Sequence, residues 1–68
     1  MTNGQRLKKK RRAAGVSQTK LADRANITRQ TLVDLEQGKL GMTAEDYAAY
    51  LSFIVELSKP APTRTQEN

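Results

Sequence analysis

Arg29, Gln30 and Thr31 are consecutive and Asp34 follows three residues later, a spacing that gathers all four on the outer side of one helix. Together they carry the chemistry that reads a base pair. Arg donates two hydrogen bonds to guanine, Gln pairs with adenine, Thr serves either, and Asp accepts from the cytosine amino group. An exposed helix face is polar as a rule, so this set alone marks only a solvated surface. The neighbouring elements decide what it is for.

Those elements lie in SQTKLADRANITRQTLVDLEQG, residues 17–38. Ser17 is a good N-cap, and Leu21, Ala22 and Ala25 fall on one face of a helix ending near Ala25. Asn26 suits the left-handed conformation that stops a helix, with Ile27 covering the joint. Thr28 caps a second helix, Leu32 and Leu35 supply its buried stripe, and Gly38 closes it. Two short helices joined by a turn of three or four residues have the geometry of a helix-turn-helix, whose second helix enters the major groove. Upstream, Thr2 and Gln5 have capping-box spacing for a first helix from about Gly4 to Ala14, which Gly15 terminates. Its apolar content is thin, Leu7, Ala13 and Ala14 with the stem of Arg11, so the core needs a further element.

Residues 6–39 resemble the DNA-binding domain of Cro-type phage repressors, the Xre-like helix-turn-helix family. The likeness rests on Arg11, on Gly15-Val16-Ser17-Gln18, on Leu21-Ala22 and on Leu35-Glu36-Gln37-Gly38, with no gap across half the chain. The pairing of S-Q-x-x-L-A with a downstream L-E-x-G makes it specific. The resemblance implies that Gln18 contacts the DNA backbone and often a base edge. It implies that Thr28, Arg29, Gln30 and Asp34 face the major groove, and that Lys39 approaches a phosphate. It further implies an ion pair between Arg11 and Glu36 tying the first helix to the third. The expected fold is all-α, a small lambda-repressor-like domain of four helices, with five as the alternative count.

Composition agrees. The 68 residues carry a formal net charge of +5 with 37% hydrophobic content, enough for one small domain. Residues 1–41 hold ten Lys/Arg against three Asp/Glu, a balance of +7, whereas residues 42–68 balance at −2. The run Lys8-Lys9-Lys10-Arg11-Arg12 is the electrostatic footprint for phosphates. Wrapped around a helix it points in every direction, so two or three of its members at most touch one duplex. With no Cys or His, disulfides, Cys/His metal sites and catalysis by either residue are excluded. The acids form no obvious pair, so no catalytic residue, cofactor, metal or small-molecule substrate is expected. No apolar run approaches a membrane span and the N-terminus lacks the apolar stretch of a secretory signal, so a cytoplasmic protein is expected.

The last strong segment runs from Ala44 to about Ser58, with Thr43 and Asp46 as a capping box. Lys59 to Asn68, cut off by Pro60, is expected to be a polar, disordered tail. The helical segment has one stripe of Ala44, Tyr47, Ala48, Leu51 and Val55, and a second of Tyr50, Phe53 and Leu57 with Ile54 between them. Its apolar arc covers roughly 220°, about twice what one core needs. A homodimer is the expected solution, with Tyr50, Phe53, Ile54 and Leu57 at the seam. The alternatives are a helix sunk among the first three, or a second stripe that binds another protein. Tyr47 and Tyr50, at helical spacing among apolar neighbours, read as packing residues and not as base-stacking ones.

The expectation is therefore a domain over 1–58 that binds double-stranded DNA in sequence-specific fashion as a dimeric repressor. Arg29, Gln30, Thr31 and Asp34 would read bases, while Gln18, Thr28 and Lys39 would anchor phosphates. Asp34 would either specify cytosine or pair with a nearby basic side chain such as Arg29. Two alternatives remain open: an antitoxin that binds its own promoter and a toxin protein, and a protein-interaction module without a DNA role.

Overall fold

A computed structural model describes residues 1–58, and the expected tail at 59–68 lies outside the described residues. Four helices follow one another: α1 (Asn3–Ala13), α2 (Gln18–Ala25), α3 (Arg29–Gln37) and α4 (Ala44–Ser58). Each of the first three starts on a hydroxyl. Thr2 accepts from the Gln5 amide in a full capping box, Ser17 from the Lys20 amide and Thr28 from the Thr31 amide. At α4 the Thr43 hydroxyl accepts from the Asp46 amide at 3.0 Å.

The first three helices also end alike, on a residue with positive φ: Gly15 at 72°, Asn26 at 60° and Gly38 at 83°. In each case the next amide reaches back to the helix, Val16 N–H to Arg11 O, Ile27 N–H to Ala22 O and Lys39 N–H to Asp34 O. Carbonyls that a helix end would leave bare are thereby satisfied, and the chain is turned sharply into the next element. Asn26 tolerates this conformation because its short amide permits φ > 0.

α1 and α2 each pack on α3 and on α4. The shared core is Leu7, Val16, Leu21, Ala22, Leu32 and Ile54, with Leu7, Leu21 and Leu32 fully enclosed. Gly4 lets α1 approach the end of α3. A Cβ built on Gly4 would stand 1.7 Å from the Leu35 carbonyl oxygen, so no larger residue fits without moving a backbone. Nearby, the Asn3 side-chain amide donates to Met42 O at 3.1 Å and ties the loop before α4 to the start of α1.

The packing of α4 takes one residue out of the expected seam. Ile54 is 4% exposed and belongs to the chain's own core, which removes it from any seam. Tyr50, Phe53 and Leu57 pack half-buried against that core together with Tyr47 and Leu51. The physical reason lies in α1, α2 and α3, whose side chains are too few and too small to close a core, so α4 turns its bulk inward. Arg24 of α2 then fastens that side. Its guanidinium lies 4.3 Å from the Phe53 ring centre and its Nε donates to Glu56 Oε2 at 2.7 Å. Burial raises the Tyr50 phenol above its ordinary pKa, and the charge of Asp46 acts in the same direction. The large apolar side chain that α4 leaves outside is Val55, 54% exposed. Among the described residues no helix is long and apolar enough to cross a membrane.

Candidate nucleic-acid interface

α3 holds its outer residues on a short, well-capped helix. Arg29 and Gln30 are exposed, while Thr31 and Asp34 are half-buried. The Thr28 hydroxyl is occupied as the helix cap and also lies 2.8 Å from the Thr31 hydroxyl, so the two form a local pair at the start of the helix. Gln30 Nε2 donates to Asp34 Oδ1 at 3.0 Å. Because a carboxylate only accepts, this bond fixes which end of the Gln30 amide faces Asp34. Asp34 is thus partnered by Gln30 and not by Arg29. Lys39 is exposed just beyond the left-handed turn at Gly38.

Behind this face sits a buried ion pair. Arg11 Nε donates to Glu36 Oε2 at 2.7 Å and Arg11 Nη2 to Oε1 at 3.1 Å, with the two side chains 9% and 1% exposed. A third donor, Arg11 Nη1, reaches Val16 O at 2.9 Å. Removing either charge would strand the other where water cannot replace it. Gln18 joins the same cluster, its Nε2 donating to Glu36 Oε1 at 3.0 Å. The cluster therefore ties α1, the joint at Val16, the start of α2 and the end of α3 into one unit. Gln18 is not a loose surface amide. Its second N–H and its Oε1 are what it has left to offer a ligand.

Between α1 and the starts of α2 and α3 runs a groove lined by Lys8, Arg11, Arg12, Ser17, Gln18, Thr19 and Arg29. It brings together Gln18 and Arg29 from the expected set and adds Lys8 and Arg12, which sequence reasoning did not separate from the rest of the basic run. Their four-residue spacing was a usable signal, since it places both on one face of α1. Thr28, Gln30, Thr31, Asp34 and Lys39 lie outside that groove, along α3 and its ends.

A family model described as a helix-turn-helix domain matches residues 4–54, well over half of the chain. No curated protein and no solved structure gives a significant match. The matched span runs from the glycine at the α1–α3 contact to the isoleucine that closes the core, and takes in both helices of the motif with the left-handed joint at Asn26 between them. The chain belongs to the helix-turn-helix domain family, in keeping with the Xre-like resemblance of its motifs.

Proposed function

We propose that this protein is a sequence-specific DNA-binding transcriptional regulator, acting in the cytoplasm as a dimeric repressor that occludes a palindromic operator. The observation that carries the reading is the exposure of Arg29 and Gln30 on α3, with Arg29 at the rim of a groove of positive charge. α3 is then the helix that enters the major groove, where Arg29, Gln30, Thr31 and Asp34 meet base edges. Gln18, Thr28 and Lys39 face the sugar–phosphate backbone on either side. Two copies would space two such helices one turn of DNA apart, which is how a short helix gains enough affinity to act. We place the seam on the strip of α4 where Ala48, Leu51, Ser52, Val55 and Glu56 line a shallow depression, with Val55 as its exposed apolar member. That strip is also where an antitoxin would hold a toxin, and a second protein co-purifying with the chain would favour that reading.

Selection of bound sites from random DNA tests the assignment. Replacing Arg29 with Ala is expected to weaken specific binding by ~1–3 kcal/mol and to relax preference at one base position. Full retention of sequence preference by the variant would defeat the role given to Arg29.

A further inference from the structure

Around α1 the buried side is Gly4, Leu7 and Arg11. Lys8 and Arg12 each follow a buried residue by one position, which at 100° per residue sets both on one flank of that side. Arg6 and Lys10 each precede one and occupy the opposite flank. Only the first flank meets the motif, because Lys8 and Arg12 share their groove with Ser17, Gln18, Thr19 and Arg29.

The charge of that groove is one-sided. Among the described residues no carboxylate lies within ion-pair distance of Lys8, Arg12 or Arg29. The acid behind the groove, Glu36, is enclosed and already accepts from Arg11 and Gln18. The Ser17 oxygen accepts from the Lys20 amide at 3.1 Å, and its hydroxyl proton is left to give. One ammonium, two guanidinium groups and the hydroxyls of Ser17 and Thr19 thus face a common space as donors. A set rich in donors and lacking a counter-charge suits an anion with several oxygens.

We propose that this groove seats the phosphodiester backbone of DNA beside the groove that α3 enters, with Lys8 and Arg12 as its ligands from α1. The inference rests on the DNA reading above and extends it to two side chains and one face of the basic run. It also divides that run: Lys8 and Arg12 touch phosphate, whereas Lys10 does not.

The test compares two double variants of the full chain on a random-sequence duplex, with affinity measured across a range of salt. Lys8→Ala with Arg12→Ala removes two charges from the groove flank. Arg6→Ala with Lys10→Ala removes two from the other flank at the same spacing. Ala is a strong helix former, so both should keep α1, as a far-UV circular dichroism melt would verify. Each lost phosphate contact lowers the steepness of log K against log salt by about 0.9, so the groove variant should lose about 2 and the control nothing. Equal losses in both variants, or none in the groove variant, would overturn the seat while leaving DNA binding intact. Saturable binding of inorganic phosphate to the groove, with unaltered DNA slopes, would overturn it too. An unmodified chain that binds no duplex would remove the DNA reading and the seat together.

Discussion

At the scale of single residues, the bond between Gln30 and Asp34 decides what each can offer a base. Gln30 spends one N–H on Asp34 and keeps the other together with its Oε1, the donor and acceptor that match adenine. On the proposed DNA reading, Asp34 would act through Gln30, holding its amide in place before DNA arrives. Freed from that bond, Gln30 would have to be ordered on binding, at a cost of about 0.5–1.5 kcal/mol. Asp34→Ala is therefore expected to weaken a preference for adenine at one position by that amount, whereas Asp34→Asn keeps an acceptor and keeps the preference. Base selection by sequencing of bound DNA reads both. A position that changes from cytosine to adenine in the Asn variant would show Asp34 itself reading a base. The sequence placed these side chains on one face but left the partner of Asp34 open, because that choice is made by rotamers. Helical spacing does favour Gln30, four residues away, over Arg29 at five.

At the scale of elements, helix ends were the most legible part of the chain. Thr2, Ser17, Thr28, Gly15, Asn26 and Gly38 have local roles, and a local role can be read from residue type and neighbours. Facing is different. Periodicity showed that α4 is apolar over too wide an arc, but which part of the arc meets the core depends on what the other helices lack. They lack volume, so Ile54, Phe53, Tyr50 and Leu57 went inward and Val55 stayed out. Lys8 and Arg12 were hidden for the same reason, since a run of basic residues does not reveal which flank of α1 looks toward α2 and α3. Gly4 was legible only as the beginning of a helix, not as the place where α1 touches the α3 backbone. Its replacement gives a direct test. Ala would gain helix propensity at Gly4, yet its Cβ would fall on the Leu35 carbonyl oxygen. The clash should win, and Gly4→Ala is expected to lower stability by about 1–3 kcal/mol in urea or thermal unfolding. A variant as stable as the parent would mean that α1 and α3 separate easily at this end.

At the scale of the whole molecule, charge and packing divide the chain into two sides. The basic residues gather in α1, α2 and α3, while α4 carries Glu45, Asp46 and Glu56 and no base. In the proposed dimer, a second copy docked along α4 would leave the basic side of each protomer for phosphate. The side chain to alter is Val55, and the choice matters. A charge at Phe53 would sit half-buried beneath Arg24 and 5.9 Å from the Tyr50 ring, so it would damage the fold and say little about assembly. Val55 touches solvent over more than half its surface and contributes nothing to the core cluster, so Val55→Glu should unfold at the parent's temperature. It should also scatter light as a monomer. Coupling two half-site contacts through one dimer raises affinity by about 10²–10⁴-fold without any new contact, and the variant should forfeit that gain on a two-site operator. On an isolated half-site it should bind as the parent protomer does, because α3 and the groove beside it are untouched. A Val55→Glu chain that remains dimeric would move the seam off this strip, and a parent chain that is monomeric at its working concentration would end the dimer proposal while leaving the base-reading face of α3 standing.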